Sequence, residues 1–130
     1  MSGHDGQVPG PLMRLQPTLG APAAAREHVA DACRGRLSPE ATEAARLLVS
    51  ELVTNCVLHA HSMITLAVDC DGGHVAVAVS DDGEEMPRMR DDVTDHDTGG
   101  RGLHLVEALA GEWGIKPRED GGKVVWFRLP

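Results

Sequence analysis

The sequence predicts a two-layer α/β (α+β) sandwich, with helices on one face of a mixed, mostly antiparallel sheet. Three observations carry this expectation. Two segments in the first half repeat apolar residues at helical period, and several later segments alternate at strand period between Gly-rich turns. The chain order then reads strand, helix, helix, strand, strand, long loop, helix, strand, strand. No internal repeat is present.

Residues 1–11, with three Gly and two Pro, read as a loose tail, and residues 12–130 as a single domain. Leu12-Met13-Arg14-Leu15-Gln16 alternates as a short edge strand ended by Pro17. From about Pro22 to Leu37 an Ala-rich stretch with Val29, Cys33 and Leu37 four apart predicts the first helix. Ser38 is a good N-cap for the second, with Pro39 in the first helical position and Glu40 and Glu43 at the positive end of the dipole. Its apolar stripe, Ala41, Ala45, Leu48, Leu52 and Cys56, runs to about His59. Glu51 and Asn55 project beside that stripe, at the edge of the buried face.

Met63 to Cys70 and His74 to Ser80 read as two strands joined by the hairpin turn Asp71-Gly72-Gly73. Val75, Val77 and Val79 alternate with Ala76, Ala78 and Ser80, so neither face is strongly polar and the strand belongs in the middle of the sheet. The stretch from about 82 to 101 lacks apolar periodicity and is read as a mobile lid. Gly102 to Gly111 is expected to be helical through Leu103, Val106 and Leu109. Trp113-Gly114-Ile115 reads as a short strand, Gly121-Gly122 as a turn, and Val124 to Leu129 as the strand that closes the sheet.

A chain of 130 residues and 13.8 kDa accommodates one core. Its aromatic residues are Trp113, Trp126 and Phe127, so Val, Leu and Ala must fill the interior. The formal net charge of -8 argues against nucleic acid as a partner, because phosphate neutralisation needs clustered Lys and Arg. Much of that charge is local: Asp81, Asp82, Glu84, Glu85, Asp91, Asp92, Asp95 and Asp97 face only Arg88 and Arg90. Cys33, Cys56 and Cys70 form no CxxC pair and no even framework, so neither a disulfide scaffold nor a zinc cluster is expected. With no apolar run of spanning length and no secretory signal at the start, a reducing cytoplasm is the expected location.

Chemistry concentrates in three places. Glu51 and Asn55, four apart, put a carboxylate and a carboxamide on one helix face; the first can take a proton from a hydroxyl, the second can help hold Mg²⁺ against a polyphosphate. Asp81-Asp82-Gly83 ends a strand, and Gly99-Gly100-Arg101-Gly102-Leu103 opens a helix, where backbone N–H groups suit phosphate. Glu51 and Asn55 alone would be an ordinary polar helix edge. His59 and His61 follow the same helix without a second cluster at metal spacing, and His59 is read as serving the helix C-terminus.

Together these segments resemble the GHKL superfamily of ATP-binding domains, and most closely its anti-sigma-factor serine kinase branch. Ser50-Glu51-Leu52-Val53-Thr54-Asn55-Cys56-Val57-Leu58-His59-Ala60 looks like that branch's N box, and Gly100-Arg101-Gly102-Leu103-His104-Leu105-Val106 like its second glycine box. Ala110-Gly111-Glu112-Trp113-Gly114 and Gly122-Lys123-Val124-Val125-Trp126 follow its ending, so the resemblance runs from about Leu12 to Pro130.

The resemblance implies a cytoplasmic, Mg²⁺- and ATP-dependent protein serine kinase that phosphorylates an anti-anti-sigma (STAS-type) partner and sequesters a sigma factor; a homodimer is left open. It makes Asn55 the Mg²⁺ ligand, Glu51 the general base, Asp81 the acceptor for the adenine amino group, and Gly83 the point of close backbone approach to the ring. Gly99, Gly100, Arg101, Gly102 and Leu103 become the phosphate loop. Two positions depart from the pattern. Glu85 stands where a second glycine is usual, and Val124 where a threonine often begins the last strand; both point to weaker ATP binding without affecting the fold. The alternative is a partner-switching module of the same fold that binds nucleotide weakly or not at all. The catalytic half of a histidine kinase fits less well, since the chain leaves no room for a dimerisation and phosphoacceptor helix pair.

Overall fold

The computed structural model describes residues 12–59, 62–82, 109–118 and 121–129. Within them the order is β1 (Leu12–Leu15), α1 (Ala21–Ala32), α2 (Pro39–His59), β2 (Ile64–Asp71), β3 (His74–Asp81), β4 (Glu112–Pro117) and β5 (Lys123–Leu129). The strands form one sheet in the order β1-β2-β3-β5-β4, and every pairing between them is antiparallel. The expected lid and the expected helix from Gly102 lie outside the described residues, apart from Asp82 at one end and the stretch from Leu109 at the other.

Period-two alternation explains which face each strand buries. Ile64, Leu66, Val68 and Cys70 of β2, Val75, Val77 and Val79 of β3, and Val125, Phe127 and Leu129 of β5 enter one core with Ala21, Ala25 and Val29 of α1 and Ala45, Leu48, Val49, Leu52, Val53 and Cys56 of α2. Both helices therefore cover the same face. Phe127 is fully buried, and truncating a core side chain of its size typically costs about 3–5 kcal/mol. On the opposite face Ala67, Ala78 and Trp126 form a smaller cluster with Val124 against it. The Trp126 ring lies so close to Gly114 on β4 that a Cβ there would meet it at 2.9 Å, while Arg128 stacks on the ring at 4.9 Å.

Local chemistry sets the boundaries. Ser38 Oγ accepts a hydrogen bond from Ala41 N at 3.1 Å, so the expected N-cap starts α2. Between β2 and β3, Gly72 and Gly73 have φ of 61° and 84°, the pair of positive values that a two-residue hairpin turn needs. The first helix is shorter than its periodicity suggests. It ends at Ala32, not Leu37, because the chain turns at Gly35 with φ 74°; Leu37 still packs on the core from beyond the helix. The last strand is also not the closing one, since β5 lies between β3 and β4.

Cysteine spacing misleads in one respect. Cys33 and Cys70 are joined in a disulfide, their Cα atoms 5.6 Å apart. Cys33 caps α1 and Cys70 sits near the end of β2 on the helix-facing side, so packing α1 onto the sheet brings them together. Their sequence separation of 37 leaves no local sign of this.

Candidate functional site

The C-terminal half of α2 and the far ends of β3 and β5 converge at one end of the sheet. Asp81 ends β3 and Lys123 begins β5, and the antiparallel register sets them opposite each other. Both point to the helix-covered side, continuing the rows of Val79 and Val125. Lys123 Nζ donates to Asp81 Oδ1 at 2.9 Å, with side chains only 8% and 2% exposed. From α2, the Cys56 thiol donates to the other carboxylate oxygen, Oδ2, at 3.1 Å. This bond ties the helix to the end of β3. Burial pushes the Cys56 thiol well above its ordinary range, the neighbouring Asp81 charge adds to that, and Lys123 opposes it. A thiol held protonated can keep donating.

Asn55 precedes Cys56 on α2 and is 9% exposed. Neither its Oδ1 nor its Nδ2 has a hydrogen-bond partner among the described residues. Buried amides are nearly always satisfied, and an orphaned one costs about 1–3 kcal/mol. Sequence periodicity placed Asn55 at the rim of the buried face; packing takes it inside. Glu51 is half-buried one turn earlier, on the same side of the helix.

The turn before β5 supports the carboxylate from below. Gly122, at φ 86°, packs so tightly that a Cβ would overlap Asp81 O and come within 2.7 Å of Asp82 Cα. Arg118 Nη1 reaches Asp81 O at 3.4 Å and Asp82 Oδ1 at 2.9 Å, and its backbone N–H donates to Gly122 O at 3.0 Å. The Asp82 N–H donates to Ser62 Oγ at 3.0 Å.

Of the residues singled out in the sequence, Glu51 and Asn55 lie one turn apart on α2, and the next residue, Cys56, joins that helix to Asp81. Gly83, Gly99, Gly100, Arg101, Gly102, Leu103 and Glu85 lie outside the described residues. Val124 is corrected. It pairs with Ser80 and packs on the opposite face with Trp126, so the β5 residue at the site is Lys123. Lys123, Cys56, Gly122 and Arg118 were not read as site residues. A lysine opening an otherwise apolar strand, on the parity of Val125 and Phe127, was the available sign for Lys123.

A family model described as the histidine kinase-like ATPase domain matches residues 15–129. The chain belongs to that family. Among solved structures, this histidine kinase-like ATPase domain is similar to the Erythrobacter litoralis EL346 blue-light activated histidine kinase, with 27% identity, TM-score 0.56, and coverage of 91% of this chain and 42% of that one. A structure of that kinase's histidine kinase domain gives 24% identity, TM-score 0.54, and coverage of 84% and 58%. The Acinetobacter baumannii histidine kinase AdeS shares the fold at 14% identity and TM-score 0.51, over 95% of this chain and 68% of that one. The chain thus spans about half the length of the first two structures it matches. No curated protein matches it.

Family membership implies ATP binding with Mg²⁺, and the site can be tested for fit. Among the described residues no cluster of three or more His, Cys, Asp or Glu could hold a metal alone. Mg²⁺ does not need one, because it commonly takes one or two protein oxygens and completes its shell with phosphate and water. The buried Oδ1 of Asn55, without a partner among the described residues, is suited to be such an oxygen. Bound there, the ion would neutralise and orient a polyphosphate. Glu51 lies one turn away on the same helix, and Asp81 is held by Lys123 and Cys56. No helix among the described residues is long and apolar enough to cross a membrane.

Proposed function

We propose that this domain binds Mg-ATP and transfers its γ-phosphoryl group to a serine of an anti-anti-sigma (STAS-type) partner, and that it also sequesters a sigma factor. One observation carries the nucleotide reading: the buried Asn55 amide, whose two polar atoms have no partner among the described residues, on the helix that Cys56 ties to the Asp81 carboxylate. A protein keeps so costly a group where a ligand completes it. Glu51 supports the kinase reading. Its carboxylate takes the proton of the serine hydroxyl, the serine oxygen bonds to the γ-phosphorus, and the bond from that phosphorus to the β–γ bridging oxygen breaks, releasing ADP. Similarity to a histidine kinase at 27% identity supports ATP as the phosphoryl donor.

A second reading has its own observation. Asp81 already accepts from Lys123 and Cys56, which favours a partner-switching module that holds nucleotide weakly. Titration calorimetry with ATP, with and without Mg²⁺, followed by phosphotransfer assays on STAS-type proteins, separates the two. Mg²⁺-dependent binding with transfer to serine supports the kinase; binding without transfer to any such protein supports the module. Absence of binding under both conditions overturns the nucleotide reading.

A further inference from the structure

The register that sets Asp81 opposite Lys123 also fixes what the carboxylate meets first. Lys123 Nζ donates to Oδ1 at 2.9 Å and Cys56 Sγ to Oδ2 at 3.1 Å, so each oxygen already carries a donor from the protein itself. Asp81 has a further interaction besides these two. The backbones that carry the ion pair are held together as well. Gly122, next to Lys123 in the chain, lies so close to Asp81 that a Cβ there would overlap Asp81 O. Arg118 Nη1 also donates to Asp81 O, and its backbone N–H donates to Gly122 O.

The 6-amino group of adenine is a neutral donor, and a hydrogen bond between an ammonium and a carboxylate is roughly twice as strong as one between neutral groups. To displace Lys123, the amino group would have to strand an ammonium whose side chain is 8% exposed, and a buried charge without its partner is strongly unfavourable. To share the carboxylate, it would meet a charge that Lys123 already compensates.

We propose that Lys123 is a specificity-determining residue: it takes the place of a base's amino group at Asp81, so the domain binds purine nucleoside triphosphates without reading their 6-amino group. This rests on the nucleotide reading above and departs from the role that resemblance implies for Asp81. Affinity then comes from the other end of the nucleotide, where Mg²⁺ on the Asn55 amide would hold the phosphates. Asp81 becomes an internal anchor, tying β3 to β5 through Lys123 and to α2 through Cys56.

Calorimetry in Mg²⁺ with ATP and with purine riboside triphosphate, which carries hydrogen in place of the 6-amino group, tests this on the full chain. The wild type should bind the two within about threefold of each other; a larger preference for ATP shows that the amino group is read and overturns the inference. Lys123→Met opens the carboxylate to the base and should favour ATP by at least about tenfold, the scale of one hydrogen bond to a charged group. Lys123→Arg keeps a cation beside Asp81 and should retain the wild-type ratio. An unchanged ratio in Lys123→Met makes Lys123 merely structural and likewise overturns the inference. Should Lys123→Met not fold, Lys123→Gln, which removes the charge but keeps a donor for Asp81, takes its place with the same direction expected. The wild-type ratio stands as a test whether or not either variant folds. A wild type that binds neither nucleotide overturns instead the reading on which this inference rests.

Discussion

Lys123 and Asp81 face each other across the β3–β5 register as a buried ion pair, with Nζ and Oδ1 2.9 Å apart. Removing one partner strands the other charge, so Asp81→Ala should cost roughly 3–5 kcal/mol of stability. Asp82→Ala is the control. Its ion pair with Arg118 is 61% exposed on the Asp82 side, and its loss should cost at most about 1 kcal/mol. Urea unfolding of both variants measures the difference, and similar costs would mean that burial is not what makes the Asp81 pair matter.

Asn55 should trade stability against binding. Asn55→Leu replaces an orphaned buried amide with an apolar group of similar size, and is expected to stabilise the fold by about 1 kcal/mol. The same variant should weaken ATP binding in Mg²⁺ and leave it unchanged in EDTA, because the amide oxygen acts on the nucleotide through the metal. Equal loss in EDTA would assign Asn55 another role.

At Glu51 binding and chemistry should separate. Glu51→Ala is expected to keep or raise ATP affinity, since it deletes a negative charge near the phosphates, while phosphotransfer falls by ~10²-fold or more. Parallel loss of affinity and transfer would make Glu51 a structural residue of the site.

The glycines before β5 should differ sharply. A side chain at Gly122 meets the backbone of Asp81 and Asp82 at a positive φ, so Gly122→Ala should destabilise by roughly 2–4 kcal/mol. Gly121 also has positive φ but open space around it, and Gly121→Ala should cost only about 1 kcal/mol. Thermal unfolding distinguishes them; equal effects would show that conformation alone, not the packing on Asp81, requires Gly122.

The cysteines yield a counting experiment. The oxidised protein should show no reactive thiol when folded, one when denatured, and three when denatured and reduced, because Cys56 is buried and held protonated while Cys33 and Cys70 are bonded. Closing a loop with a sequence separation of 37 stabilises by roughly 3–4 kcal/mol in the chain-entropy model. Reduction should accordingly lower Tm by roughly 10 °C. Three reactive thiols in the denatured, unreduced protein would exclude the bond.

Local physics made much of the fold legible. The Ser38 cap, the Gly72-Gly73 turn, the valine alternation of β3 and the stripe of α2 each depend on neighbours within a few residues, and each forms where the sequence places it. Where α1 stops was harder to read, because apolar spacing continues to Leu37 while the backbone turns at Gly35. The expectation that Glu51, Asn55 and Asp81 share a site came from resemblance to a known pattern, not from local physics.

By itself the sequence determined the two-layer class, the span of α2 and the central place of β3. These follow from periodicity, capping and turn chemistry, which act over short stretches. Only tertiary structure decided that β5 enters between β3 and β4, that Cys33 reaches Cys70, and that Asn55 is sealed in rather than left at the rim. It also replaced Val124 with Lys123 at the site, since a shift of one residue in a strand moves a side chain to the other face of the sheet. Each of these depends on which distant segments pack together, and that is set by the shared burial of both helices on one sheet face.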